Sequence, residues 1–116
     1  MNATTPDLTT APPRSGREML GRYAWLARLA DKARAANAGR AGEYVAYCPL
    51  SMGFLDQAGV TQEQFEKLVR DGANDDDFVR YFDENVSEAQ RDAANQYVLT
   101  DMKQHLDEQD AEEGRG

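Results

Sequence analysis

Between Gly59 and Gln90 the chain stops and restarts a helix three times, with almost nothing in between. Gly59 is followed by Thr61, with Gln64 three positions on. Gly72 is followed by Asn74, and Val86 by Ser87 with Gln90. Glycine takes the left-handed conformation that ends a helix. Thr, Asn and Ser accept from the free amides of a first helical turn, and a Gln three residues later closes the reciprocal bond. Linkers this short force neighbouring helices to turn sharply. The predicted fold is therefore all-α: an irregular orthogonal bundle of about five helices, with an ordered loop between the first and second.

Apolar spacing fills in the elements. Ser15 with Glu18 has capping-box spacing, so a first helix is predicted from there to about Ala36. Met19, Leu20, Tyr23, Leu26, Ala27, Ala30 and Ala33 share one face of it, with Arg28 and Lys32 opposite. Asn37, Gly39 and Gly42 break that helix. Residues Glu43 to Tyr47 then read as an ordered loop packed by its tyrosines. Pro49 suits the first position of a short second helix, which Gly59 ends. Phe65, Leu68 and Val69 stripe the third helix, and Phe78, Val79, Phe82 and Val86 the fourth, whose first turn is Asp75-Asp76-Asp77. The fifth, from Ser87, carries Ala94, Val98, Met102 and Leu106. The expected layout is a flexible N-terminal segment over 1–12, one helical domain over 13–106, and an acidic C-terminal tail over 107–116 that frays.

At 116 residues the chain holds one domain with a small core. Its formal net charge of −8 repels phosphate backbones, so nucleic acid is not an expected partner. Arg14 to Arg40 nevertheless holds seven basic residues against two acidic, a net of +5, leaving −13 for the rest. Either the basic helix pairs with acidic helices folded around it, or part of the patch binds an anion. No apolar run approaches the length of a membrane span, and Met1 to Pro13 lacks the pattern of a secretory signal, so the expected location is cytoplasmic.

Three groups of residues are candidates for chemistry. Cys48 is the one cysteine. At the N-cap before Pro49 its sulfur would face unpaired amides and the positive end of a helix, both of which favour a thiolate. The alternative is a small buried apolar residue. The one histidine, His105, lies far along the chain. The second group is Arg28, Asp31, Lys32, Arg34, Glu43 and Tyr44. Such a cluster holds a carboxylate or phosphate through Arg, or else Glu43 meets Arg34 and pins the loop to the first helix. The third, Asp75-Asp76-Asp77, lacks the spaced ligands of a calcium loop and complements the helix dipole without a metal. Trp25 and Leu29 fall off the main apolar face. They are covered either by the segment around Leu8 and Pro12-Pro13 or by a partner protein. No nucleotide loop, nucleophile elbow or zinc-helix motif occurs, so no cofactor is expected.

The run Pro13-Arg-Ser, then Leu20 to Ala35, then Gly42-Glu-Tyr, Cys48-Pro-Leu and Phe54-Leu55 resembles the bacterial family known as domain of unknown function 5069. The likeness runs from about Leu8 to beyond Val60, and more loosely to the C-terminus. Arg22 stands where that family commonly has a second glycine. The resemblance implies a stand-alone helical domain and brings no activity with it. The functional expectation is a small non-catalytic binding or protein-interaction domain, using the surface near Trp25 and the basic helix. The alternatives are a binder of a small anionic metabolite through Arg28, Lys32 and Arg34, and a thiol-dependent enzyme or redox-responsive protein using Cys48.

Overall fold

The computed structural model describes residues 5–115. The first helix, α1 (Leu26–Asn37), is the axis of the molecule: every residue from Leu26 to Ala35 is buried. Around it come α2 (Pro49–Ala58), α3 (Gln62–Arg70), α4 (Asp75–Asn85), α5 (Glu88–Gln96), a π-helical turn (Tyr97–Asp101) and α6 (Lys103–Glu112). α1 packs on α3, and α2 runs along α5 and the π turn. The described residues are helical or irregular, with one isolated antiparallel bridge between Leu20 and Tyr23. Among them, no helix is long and apolar enough to cross a membrane.

The short linkers behave as their residues dictate. Thr61 with Gln64 and Ser87 with Gln90 form complete capping boxes, and Asn74 with Asp77 forms a third. Gly59 ends α2 at φ +74°, and the Val60 amide donates back to the Leu55 carbonyl at 3.0 Å. The apolar stripes meet in an aromatic core. Phe65 stacks on Phe78 at 4.9 Å between centroids, and Tyr23 meets Phe82 edge-on at 5.2 Å.

The first helix starts ten residues later than the Ser15 spacing predicts, with Trp25 at its N-cap. Ser15 does not cap: its hydroxyl accepts from the Arg17 amide and donates to Asp110. Residues 14–25 make successive turns instead, with Gly21 at φ +59° and Trp25 at φ +72°. A positive φ at a bulky residue is strained. Trp25 is held there by its amide on the Gly16 carbonyl (2.9 Å) and its indole N–H on the Ser51 hydroxyl (3.0 Å). Met19, placed by periodicity on the apolar face, is about half exposed as a result. Arg22 sits exposed in a turn, so the side chain that replaces a glycine crowds no helix.

The last helix also departs from its stripe. It widens into the π turn at Tyr97–Asp101 and then continues to Glu112. The segment beyond Leu106 therefore does not fray. Arg17 reaches Asp107 and Asp110, and Arg28 reaches Glu113, so the charged tail is the counter-ion set for the basic region. At the other end Leu8 is buried, and its amide donates to the Arg40 carbonyl at 2.9 Å. Residues 1–4, the start of the segment expected to be flexible, lie outside the described residues.

Trp25 is covered by the chain itself. A Cβ at Gly16 would lie 2.6 Å from the indole ring and 2.8 Å from Leu106. Gly16→Ala is expected to destabilise the fold by about 1–3 kcal/mol through overpacking. Urea unfolding followed by the fluorescence of Trp25, the one tryptophan, measures it.

Candidate functional site

Because α1 is buried all round, its charged residues Arg28, Asp31, Lys32 and Arg34 are buried with it. Each leaves water and must find a partner within the fold. They divide between two sides of the helix.

On one side, the Asp31 carboxylate accepts from the Arg14 amide, Nε and Nη2 at 2.9–3.0 Å. Arg14 and Arg34 both donate to Asp75, at 2.9 and 3.0 Å. Arg34 also donates to the Ala73 carbonyl and lies over the Phe78 ring. Burial opposes the charge of Asp75, but the two guanidinium groups prevail and lower its pKa. Two cations face two carboxylates across an open depression of about 460 Å³ between the N-terminal segment, α1 and α4, so the charges there are matched within the fold, while Arg34 Nε is buried without a partner among the described residues. The acidic run at 75–77 is spent here and in the α4 cap, where Asp77 closes the box.

On the other side, α1, the loop before α2 and α6 enclose an open cleft of about 460 Å³. Arg28, Lys32, Glu43, Tyr44 and Cys48 all line it. Of the seven residues in the first two candidate groups, Asp31 is turned to the other side and five converge here. Arg34 does not, and Glu43 does not meet it. Four residues per near-turn separate Arg28 from Lys32, which keeps both on one side, whereas Arg34 is rotated away towards α4. Glu43 is instead an exposed carboxylate on the rim.

The floor is Trp25. The Lys32 ammonium lies 5.1 Å and the Arg28 guanidinium 5.5 Å from its ring centroid. Of the two coverings open to Trp25, its own chain or a partner, the structure has the first: Trp25 is fully buried within the chain. Arg28 is held by Glu113 in two parallel bonds of 2.8 and 2.7 Å. The Tyr44 hydroxyl donates to the same carboxylate at 3.2 Å, and Arg115 pairs with it too. Burial disfavours the Glu113 charge, but Arg28 and then Arg115 outweigh it and lower its pKa.

Lys32 is different. Its Nζ has one polar neighbour among the described residues, the Cys48 sulfur at 3.5 Å. Burial lowers its pKa, reinforced by Arg28 and opposed by Cys48. Cys48 is the N-cap of α2, as the Pro49 signal predicts. Burial pushes its thiol up, but the Ser51 hydrogen bond and the Lys32 charge overcome that and bring it below the ordinary value of 9.0. Ser51, wholly buried, accepts from the Trp25 indole and lies 3.5 Å from the Cys48 sulfur. The polar neighbours of Cys48 are thus Lys32 and Ser51, while His105 stands exposed on α6. Among the described residues, no three His, Cys, Asp or Glu side chains group as metal ligands do.

Sequence reasoning missed Ser51, Gln109, Glu112 and Glu113. The three from α6 and the turn beyond it read as a frayed tail. Ser51 had a usable signal: a hydroxyl three residues past a capping cysteine faces the same first turn. Two buried atoms in the cleft wall, Arg28 Nε and Gln109 Oε1, have no hydrogen-bond partner among the described residues. Each such atom costs about 1–3 kcal/mol.

The Lys32–Cys48 pair has a measurable consequence. Alkylation of Cys48 is expected to follow a titration below that of a free thiol, and Lys32→Met to move it upward. Iodoacetamide rates between mildly acidic and alkaline pH check both, with circular dichroism confirming the fold.

The geometry coincides with a family assignment. A model of the family described as "Domain of unknown function (DUF5069)" matches residues 10–115. No curated protein matches the chain. The matched span takes in all six helices and the loop, and with them every residue of the cleft, and on that match the chain belongs to the DUF5069 family.

Proposed function

We propose that this domain binds a small anionic molecule, without transforming it, in the cleft between α1, the loop before α2 and α6. The reading rests above all on Lys32. It is a cation almost wholly removed from water, beside an open cleft, whose one hydrogen-bond partner among the described residues is a thiol. A buried charge without a carboxylate partner favours an arriving anion, because the cost of desolvating the ammonium is already met by the fold. Tyr44 and Val45 supply apolar surface beside the charged groups, and a concave cleft suits a small molecule better than a protein surface.

Binding and thiol ionisation are then linked. An anion at Lys32 removes the stabilisation of the Cys48 thiolate, so it raises the thiol pKa and slows alkylation. Acetate, citrate and inorganic phosphate, each compared with chloride at equal ionic strength, serve as probes. At least one is expected to raise the melting temperature and slow Cys48 alkylation, and Lys32→Met to abolish both effects. Equal melting temperatures in all four salts refute the reading.

A second reading makes Cys48 itself the working group of a thiol-dependent or redox-responsive protein. The lowered thiol pKa beside an ammonium favours it. Cys48→Ser separates the two. The binding reading expects the probe-induced stabilisation to persist in this variant; the thiol reading expects a function that disappears with the sulfur.

A further inference from the structure

The Arg28 fork is occupied from within the chain, by a residue of the turn that follows α6. Four donors converge on the Glu113 carboxylate: two from Arg28, one from Tyr44 and one from Arg115. Arg28 is walled by rings, its guanidinium 5.5 Å from Trp25 and 5.7 Å from Tyr44. These groups form a carboxylate receptor. The receptor belongs mostly to α1 and the loop, while the carboxylate comes from a segment with little apolar attachment. In α6 only Leu106 is buried. The rest of its hold is polar: Arg17 on Asp107 and Asp110, Ser15 on Asp110, and Arg115 on the Pro13 carbonyl. Part-exposed pairs of this kind are readily exchanged for water.

Glu113 also leaves the receptor incomplete. Arg28 Nε, a donor, and Gln109 Oε1, an acceptor, are buried in the same wall without partners. A molecule offering both an acceptor and a donor would complete them. The charges narrow the class further. Glu43 and Glu112 stand on the rim and oppose a multiply charged anion such as phosphate. A singly charged carboxylate with a neutral or cationic donor beside it is tolerated.

We infer that Glu113 is an internal stand-in for the ligand, and that the cleft recognises a monocarboxylate bearing a hydrogen-bond donor, of the α-hydroxy or α-amino acid type, which displaces Glu113 from Arg28. This rests on the binding reading above and names its ligand class. Displacement makes Glu113 a competitor, so the observed affinity is the intrinsic one reduced by the fraction of molecules with Arg28 free.

The test titrates the full chain with lactate, glycine and inorganic phosphate, by calorimetry and by Trp25 fluorescence. Glu113→Gln keeps the size of the side chain and removes its charge. Lactate or glycine is expected to bind this variant about tenfold more tightly than wild type, with no gain for phosphate. Glu113→Asp, which withdraws the carboxylate by one methylene, is expected to shift in the same direction and serves if the glutamine variant fails to fold. In wild type, saturating lactate or glycine is expected to change Trp25 emission, since the partner of the guanidinium over the indole is exchanged. Equal affinity of wild type and variants overturns the stand-in role and leaves the binding reading intact. Preference for phosphate overturns the ligand class. An absence of binding by every probe to every form overturns both this inference and the binding reading.

Discussion

The structure depends on one constraint: α1 is buried on every side and yet carries Arg28, Asp31, Lys32 and Arg34. A buried helix with four charges is unfavourable unless each charge is matched, and removing one partner of a buried pair typically costs about 3–5 kcal/mol. The rest of the chain is arranged as that match. Arg14 brings the N-terminal segment to Asp31, Asp75 brings α4 to Arg34, and Glu113 brings the turn after α6 to Arg28. The uneven charge along the sequence, basic to Arg40 and acidic afterwards, is thus resolved as tertiary pairing.

Lys32 is the exception to that matching, and the cleft exists where the exception lies. A carboxylate there would have closed the last gap around α1, as Asp75 closes the opposite side. A thiol and an indole face stand in its place. On one side of α1 every charge has an opposite charge within reach, although Arg34 Nε is left without a partner; the other side carries the thiol and, among the described residues, the unpartnered Arg28 Nε and Gln109 Oε1. The same logic explains Trp25. Its strained backbone keeps the indole under two cations, with the ring N–H tied to the hydroxyl that also faces Cys48. Moving any one of Trp25, Ser51, Lys32 or Cys48 disturbs the other three.

Local signals were read well where the interaction they describe is local. The caps at Thr61, Asn74 and Ser87 and the stop at Gly59 concern atoms within a few residues of one another. The N-cap placement of Cys48 followed from Pro49 for the same reason. Local signals misled where distant groups outbid them. Ser15 and Glu18 have the spacing of a capping box, yet the Ser15 hydroxyl is taken by Asp110, ninety-five positions away. The predicted Glu43–Arg34 pair failed because Asp75 and the Ala73 carbonyl reach Arg34 first from α4.

By itself the sequence determined that this chain is a helical bundle with sharp turns and where most of those turns fall, and it offered Arg28, Lys32, Arg34, Glu43, Tyr44 and Cys48 as candidates for chemistry. Periodicity, caps and glycine stops act over one or two turns, so they are written in order along the chain. Tertiary structure alone decided which face of α1 is open. It sent Arg34 to α4, buried Trp25, widened the last helix at Tyr97–Asp101 and brought Glu113 back onto Arg28. Those outcomes are competitions between charges far apart in sequence for the same partners. Burial sets the stakes of that competition, and burial exists only once the bundle has closed.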